Sequence, residues 1–263
     1  MSEISNDTEY YKSYYDRMGT NSYTGESVKH TSRMLVFCEW LRAELKPGAK
    51  VLDIGCGDAI FAELMPEFEW YGVDINIERA ITRLGRETTY DGNGQANGYE
   101  DRAVAHDLMK PPYPWPEKYF DAIISSECTE HLWDLRIVHK EAKRLLKRDG
   151  IYVISTPNFQ WITHHLEHHQ RIRSMFDQHW TIEHIRHYDF DLHKRYLNEV
   201  GFVVEKHQGS CEHYCPIMAN VANAIQAGLR ERGHEVSTPE LGVMMGKAIP
   251  YYMHTTIILS KKA

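Results

Sequence analysis

Short apolar runs separated by polar stretches dominate the chain from residue 47 onward. Seven such runs are KVLDIG, WYGVDI, RAVAHDL, YFDAIISSE, GIYVISTPN, FVVEKHQ and YMHTTIILS. Runs this short, bounded by glycine, proline or asparagine, are typical of buried strands, and the segments between several of them show the apolar spacing of helices. Repeated strand–helix units predict an α/β fold, a doubly wound and mostly parallel seven-stranded sheet with helices on both faces.

Helical spacing also predicts elements outside the strands. EYYKSYYDRM and HTSRMLVFCEWLRAEL carry apolar residues at helical intervals and stop at Pro47-Gly48, so a helical cap over residues 1–46 is expected. FAELMPEF, ERAITRLGRE, DFDLHKRYLNEVG and MANVANAIQAGLRERG predict further helices. The segment 160–187 is too long for a tight connection and is expected to form a lid.

A cluster of polar residues follows the fourth predicted strand, in SSECTEHL. Glu127, Glu130 and His131 have the i, i+3, i+4 spacing that places three side chains on one helical face, and TEHLWDLRIVHKEAKRLLKRDG is predicted as one helix that stops at a glycine. Such a cluster can be a metal site, a catalytic base or the polar start of an ordinary helix. The spacing alone does not choose among them.

Composition narrows the function classes. Net charge is −7, which argues against a broadly basic surface for nucleic acid or membranes. No apolar run approaches the roughly 20 residues that span a bilayer, and the first residues lack the pattern of a signal peptide, so a cytoplasmic protein is expected. The five cysteines are scattered, which does not favour a disulfide framework.

The glycine-rich segment LDIGCGDA gives the most specific signal. A glycine turn at the end of a first strand lets a ligand approach the backbone closely, and an acid at the end of the next strand, Asp74, can accept hydrogen bonds from both ribose hydroxyls. A nicotinamide-binding dehydrogenase would place a third glycine where this chain has Ile60. Asp53 also brings negative charge to a loop that would hold a pyrophosphate. A ligand without phosphates and with a positive centre fits better, and S-adenosylmethionine is such a ligand.

At these residues the chain resembles the class I S-adenosylmethionine-dependent methyltransferases, specifically their small type 11 branch. The resemblance runs over roughly Tyr10 to Phe202 and rests on VLDIGCGDA, YGVDI, AHDL, FDAIISSECTEHL, GIYVISTPN and HIRHYDF, in that order. One departure is Ala59, where many members have glycine. The resemblance implies a Rossmann-like methyltransferase fold in a single domain, 1–263. Its parts are the cap, a cofactor-binding half (47–159), the lid, and a C-terminal half (188–263) with an insertion at about 209–250.

The resemblance also implies which residues bind the cofactor. The glycine loop would cradle the methionine end, Asp74 would hold the ribose, and Asp107 with the Leu108 backbone would contact the adenine. The main chain at Ser126 and Glu127 would contact the methionine moiety. Apart from the resemblance, Arg33 is a candidate partner of the cofactor carboxylate. The expected cofactor-binding residues are Asp53, Gly55, Cys56, Gly57, Asp74, Ile75, Asp107, Leu108, Ser126 and Glu127.

Two metal-dependent branches of this family carry Glu-x-x-Glu-His at the same place. They are the O-methyltransferases of ubiquinone biosynthesis and the enzymes that methylate the 2′-hydroxyl at the 3′ end of small RNAs. By resemblance, Glu127, Glu130, His131 and the later His184 would ligate a divalent metal such as Mn, Mg, Fe, Co or Zn. The alternatives are metal-free catalysis, in which His131 or His184 is the general base beside Glu130, and a purely structural role.

The sequence therefore predicts a methyltransferase that transfers a methyl group to an oxygen of a small molecule, with a divalent metal assisting. A metal-free enzyme with a histidine base and an oxygen or nitrogen acceptor is the main alternative, and an RNA 3′-end 2′-O-methyltransferase is a lesser one. A nicotinamide-linked oxidoreductase and a non-catalytic binding domain are the rivals from other classes. The partner is expected to be a small-molecule acceptor, not nucleic acid, and the insertion is expected to shape the acceptor pocket or a homodimer contact.

Overall fold

The computed structural model describes residues 31–77, 80–81, 84, 102–158, 188–210, 216–252 and 255–263, with the side chains of 216–220 and 252 excepted. The first 30 residues of the expected cap and the whole expected lid, 160–187, lie outside this range. Those two predictions stay predictions. No helix in the described part of the chain combines the length and apolar character that a membrane crossing needs.

Seven strands form one sheet among the described residues. They are β1 (Lys50–Ile54), β2 (Glu69–Asp74), β3 (Ala103–Ala105), β4 (Phe120–Ser126), β5 (Leu146–Pro157), β6 (Phe202–Ser210) and β7 (Thr255–Lys262). Their order is β3-β2-β1-β4-β5-β7-β6, with all pairs parallel except those of β7, which lies antiparallel between β5 and β6. The seven-stranded, mostly parallel sheet is confirmed.

Helices cover the sheet on both faces. They are α1 (Ser32–Glu44), α2 (Ile60–Leu64), α3 (Leu135–Leu145), α4 (Phe190–Val200), α5 (Pro216–Arg230) and α6 (Thr238–Ala248), with 3₁₀ helices at Thr129–His131 and Pro250–Tyr252. Asp189 caps α4 by accepting from the N–H of Leu192 at 2.8 Å, and Gly201 ends it in the left-handed region, as the sequence predicts.

Alternating side chains along the central strands build two apolar cores. One core packs α1 and α2 on residues such as Val51, Ile124 and Val153, and the other packs α3 and α4 on residues such as Ile123 and Ile154. Because β1, β2 and β4 are buried on both faces, their sequences are continuous apolar runs. Polar residues such as Asp53, Asp74 and Ser126 lie toward the carboxyl ends of these strands. In parallel sheets, the loops at these ends bind ligands.

The prediction of one long helix after β4 is wrong. Glu127 adopts a positive φ of 50°, Thr129–His131 forms only a 3₁₀ turn, and Leu132 is extended. A separate helix, α3, begins after Asp134, whose side chain accepts from the N–H of Arg136 at 3.0 Å. The polar cluster therefore does not share one face of an α-helix. The predicted stop at glycine also fails, because α3 ends at Leu145 and the following residues already belong to β5.

Candidate active site

The glycine loop after β1 is pinned to β2 by backbone hydrogen bonds. The N–H groups of Gly55 and Cys56 both donate to the carbonyl of Val73, at 2.8 and 3.3 Å. Gly55 has a φ of 76°, and a Cβ at this position would lie 2.7 Å from the Cβ of Cys128, in the loop after β4. Only glycine satisfies both conditions, so the loops after β1 and β4 touch at a position where no side chain fits.

Gly57 leaves space where Gly55 does not. It has a φ of 52°, and a Cβ built on it would meet no atom within 4 Å. Its N–H donates to Oδ2 of Asp74 at 2.9 Å, while Oδ1 of the same carboxylate accepts from the N–H of Asn76 at 3.1 Å. The acid at the end of β2 therefore holds the loop in shape, and its contact with a ribose stays a prediction. An open position above a glycine backbone suits a closely approaching ligand.

Acidic charge concentrates around this loop. Asp53 is buried at the end of β1, and its pKa is raised well above the usual value by burial first, then by the negative charges of Asp74 and Asp58. Burial likewise raises the pKa of Asp74, against backbone hydrogen bonds that lower it. Buried carboxylates that stand close to other negative charges are stabilised by a cation and repel a phosphate. The site therefore fits a ligand with a sulfonium and an ammonium group.

Two other predicted cofactor residues, Cys56 and Ile75, differ in how deeply they are buried. The Cys56 side chain is buried against Gly72, where a Cβ would lie 2.7 Å from Sγ, so Cys56 offers a ligand only its backbone. Ile75 directly follows Asp74 and is half-buried. Cys56 precedes Gly57 in the chain, and Ile75 follows Asp74, whose carboxylate accepts from Gly57. The cofactor roles of both residues stay predictions.

The predicted adenine-contacting pair follows β3. Oδ1 of Asp107 accepts from the N–H of Met109 at 2.9 Å, and Oδ2 lies 3.1 Å from Nζ of Lys110. The carbonyl of Leu108 accepts from the hydroxyl of Tyr113 at 2.8 Å. These contacts fix a turn at the carboxyl edge of the sheet, next to the end of β2, because β2 and β3 are neighbours. Their contact with a cofactor stays a prediction.

Glu127 is held by partners on two other elements. Its N–H donates to the carbonyl of Ser155 at 3.1 Å, and its Oε1 accepts from the Ser155 hydroxyl at 3.0 Å. The same oxygen lies 3.2 Å from Nη1 of Arg33, on α1. Ser126, one residue earlier, has its hydroxyl 3.2 Å from that of Ser155. No sequence pattern points to Ser155, because its contacts with Glu127 depend on β4 and β5 being neighbours.

Buried Glu130 and half-buried His131 form an acid–imidazole pair. The Glu130 side chain is 2 % exposed and that of His131 is 16 % exposed, with Oε1 of Glu130 3.8 Å from Nε2 of His131. The other carboxyl oxygen accepts from the Thr156 hydroxyl at 3.3 Å, whereas Oε1 has no hydrogen-bond partner among the described residues. Burial, followed by the charge of Glu127, raises the pKa of Glu130 well above its usual value.

The predicted metal ligands do not form a metal site within the described part of the chain. No group of three or more histidine, cysteine, aspartate or glutamate side chains there is arranged to hold an ion. Glu127 already faces the guanidinium of Arg33, whose positive charge opposes a divalent cation at that oxygen. His184 lies outside the described residues. The three described residues therefore do not fit the metal that the sequence predicts.

The sheet order with one antiparallel inner strand, the glycine loop after β1 and the acid at the end of β2 define a class I S-adenosylmethionine-dependent methyltransferase domain. A family model described as "Methyltransferase domain" matches residues 30–207, more than half of the chain. The chain belongs to this methyltransferase domain family.

Named relatives agree with this family. A sterol 24-C-methyltransferase of Gibberella zeae is 34 % identical over 121 residues, covering 45 % of this chain and 29 % of its own length. A ubiquinone biosynthesis O-methyltransferase of Haemophilus ducreyi is 31 % identical over 111 residues, covering 42 % and 46 %. The crystal structure of a SAM-dependent methyltransferase from Archaeoglobus fulgidus superposes with a TM-score of 0.54 at 18 % identity, over 95 % of this chain and 100 % of that one. The chain spans less than half the length of these curated relatives, and the solved structure supports the fold alone.

Proposed function

We propose that the protein transfers the methyl group of S-adenosylmethionine to an oxygen of a small-molecule acceptor, without a metal. The observation that carries this proposal is the Glu130–His131 pair directly after β4. The loop after β4 contacts the glycine loop through Cys128 and Gly55, so the pair stands next to the expected cofactor position. The ubiquinone-pathway relative is named as an O-methyltransferase, which favours an oxygen acceptor.

The chain's residues divide the work of such a reaction. When bound, the cofactor supplies an electrophilic methyl group on a sulfonium. Asp53 and Asp74 contribute the negative charge that favours a cationic ligand, and Gly57 leaves room for it. The accepting hydroxyl must lose its proton as it is methylated, and the imidazole of His131 can take that proton. Oε1 of Glu130 lies 3.8 Å from Nε2 of the imidazole, so a charged carboxylate there can stabilise the charged form of His131.

His131→Asn tests the role of the imidazole. It should lower kcat about 10²- to 10⁴-fold on an accepted hydroxyl compound, because general-base assistance is lost, while the Kd for S-adenosylhomocysteine stays unchanged. Radiolabelled methyl transfer to a panel of hydroxyl, amine and alkene acceptors, together with calorimetry, measures both quantities. Full activity in the variant, or methylation of only amines or alkenes by the wild type, would refute the proposal. Asn keeps one hydrogen-bonding group but cannot act as a base at neutral pH.

Metal independence has its own test. Activity of the purified protein should be unchanged after treatment with EDTA and unchanged when Mn²⁺, Mg²⁺, Fe²⁺, Co²⁺ or Zn²⁺ is added back. Loss of activity on chelation with recovery on one metal would revive the metal-assisted mechanism. In that case His184→Ala should abolish metal binding as well, since it is the fourth ligand that the sequence predicts.

A further inference from the structure

Three aromatic rings cluster where β5, β6 and β7 meet the carboxyl edge of the sheet. His207 of β6 stacks on Phe190, at the start of α4, with ring centroids 3.8 Å apart and an angle of 12° between the planes. The ring of Tyr251 stands edge-on to both, 5.0 Å from His207 and 5.4 Å from Phe190. Phe190 is 7 % exposed and Tyr251 is 43 % exposed, so the exposed ring rests on a packed base.

Hydrogen bonds and strand register place this ring cluster beside the acid–imidazole pair. The Thr156 hydroxyl donates to Glu130, and Thr156 is paired with Thr256 across β5 and β7. The Thr256 hydroxyl lies 2.8 Å from Nε2 of His207. Residues paired directly across antiparallel strands have side chains on the same face, with Cβ atoms about 5 Å apart. Only two paired side chains therefore separate Glu130 from His207.

The ring cluster is tied to the sheet and carries no charge of its own. The buried side chain of Asn158, just after β5, donates to the carbonyl of Tyr251 at 2.8 Å and so ties the end of the insertion to the sheet. Burial lowers the pKa of His207 to about 4, so its ring is neutral at neutral pH. Nζ of Lys194 lies 5.7 Å from the Phe190 ring centroid. An apolar, flat surface is thus held close to the reacting groups.

We propose that Tyr251, backed by Phe190 and His207, is the wall against which the acceptor's ring system lies, and that the acceptor is a flat aromatic compound bearing a hydroxyl. This inference rests on the proposed function, because it names the substrate class of the same site. An aromatic ring gains attraction from an edge-on or offset neighbouring ring beyond the area that it buries, and a saturated ring of the same size does not. Tyr251 therefore acts as a specificity residue.

Calorimetric binding of two probes tests the wall without requiring turnover. The probes are 2-naphthol, which is flat and aromatic, and decahydro-2-naphthol, its saturated counterpart, each titrated into protein saturated with S-adenosylhomocysteine. The wild type should bind 2-naphthol more tightly. Tyr251→Ala should weaken 2-naphthol about 3- to 10-fold with a smaller effect on the saturated probe. Tyr251→Phe keeps the ring and should stay within about twofold of the wild type.

Met244→Ala provides the matched control, because Met244 is 49 % exposed on α6 and outside the ring cluster. It should leave both affinities unchanged, and S-adenosylhomocysteine should bind equally to all variants. The inference is overturned if the wild type does not bind 2-naphthol, if it does not prefer this probe, or if Tyr251→Ala binds it normally. If the saturated alcohol is nevertheless methylated, the proposed function stands and only the wall fails. Failure of the wild type to bind S-adenosylhomocysteine would overturn both.

Discussion

Asp53 shows how one residue can oppose stability and support binding. Its carboxyl group is buried near Asp74 and Asp58, and its pKa is raised in the folded protein. When the pKa of a group is higher in the folded than in the unfolded state, the folded state keeps its proton up to a higher pH. Stability is therefore lost as pH rises from the unfolded pKa, near 3.9, through the raised one. At neutral pH, burying the charge costs free energy unless a cationic ligand compensates.

Asp53→Asn should accordingly raise the melting temperature of the ligand-free protein at pH 7, because a buried charge is removed. The same change should weaken S-adenosylmethionine binding about 10-fold or more, since charge-assisted contacts are worth roughly 1.5–3 kcal/mol. Thermal unfolding with and without cofactor, together with calorimetry, measures both effects. Asp58→Asn is the matched control, as a smaller contributor to the same charge cluster. A variant that is destabilised at pH 7 yet binds cofactor normally would contradict this account.

At the residue scale, the sequence located the acids but not their contacts. Asp53 and Asp74 were predictable because each stands at the carboxyl end of a recognisable strand. That Asp74 accepts from the backbone of Gly57, or that Arg33 pairs with Glu127, depends on distances between elements remote in the chain. Thr156 gave no signal for the same reason. Spacing within a motif describes local geometry only.

The glycine loop is the element where packing and function meet. Gly55→Ala should destabilise the fold by about 2–4 kcal/mol, since it adds both positive-φ strain and an overlap with Cys128. Gly57→Ala is the matched comparison, because it adds strain of about 1 kcal/mol at φ 52° but meets open space. Denaturant unfolding measures the difference.

The two variants should rank in the opposite order for cofactor binding. Gly57→Ala, although the more stable of the two, should bind the cofactor more weakly. The open position above Gly57 is where a ligand is expected, so a methyl group there should weaken S-adenosylhomocysteine binding even though the fold tolerates it. Equal stability losses in the two variants would argue against the contact between the loops after β1 and β4. Normal cofactor affinity in Gly57→Ala would argue against the expected cofactor position.

At the element scale, the mistaken helix after β4 has a physical cause. The spacing of Glu127, Glu130 and His131 matches one helical turn, but the chain must leave β4 at the glycine loop and reverse direction before a helix can begin. The positive φ of Glu127 makes that change, and Asp134 then caps α3. Asp134 followed by helix-forming residues is itself a start signal, so the correct boundary was readable.

The molecule as a whole contains a buried histidine pair that makes its stability depend on pH. His139 on α3 and His193 on α4 are fully buried with ring centroids 5.4 Å apart. Burial lowers the pKa of His193 to about 3 and that of His139 well below its usual value. Because both folded pKa values lie below the unfolded value near 6.5, the unfolded state takes up protons first on acidification. Stability is complete above about pH 6.5 and falls as the pH is lowered toward 3.

His193→Phe should flatten this dependence. It keeps a ring in contact with His139 and removes two buried nitrogens that lack hydrogen-bond partners among the described residues. The free energy of unfolding of the wild type should fall by up to about 1.4 kcal/mol per pH unit for each histidine below pH 6.5, and the variant should lose one such contribution. Urea unfolding between pH 4 and 7 measures the slope. The exposed His234→Gln should keep the wild-type slope, and an unchanged slope in His193→Phe would disprove the linkage.

At this scale the sequence was most informative, since all seven strands predicted from short apolar runs are present. A strand that is apolar throughout must be buried on both faces. In a chain that alternates strands and helices, this predicts a parallel sheet covered by helices on both sides, as observed. The acceptor side was not predictable in the same way. Phe190, His207 and Tyr251 come from three segments spread over 62 residues, and nothing in their local sequences indicates that their rings meet.

The position of β7 has a consequence for the order of folding. β6 and β7 are antiparallel neighbours, a pair that a turn of a few residues could join, yet 44 residues, from 211 to 254, separate them. Closing that loop costs about 2 kcal/mol more free energy than closing a tight hairpin, because more chain entropy is lost. Pairing of β7 with β5 spans an even longer stretch of chain, and such distant pairings form slowly. The five strands that are neighbours in the sheet order β3-β2-β1-β4-β5 can therefore assemble first. Insertion of β7 then completes the sheet and brings Thr256 and the ring cluster to the acceptor edge, so the cofactor-binding half can form earlier than the substrate side.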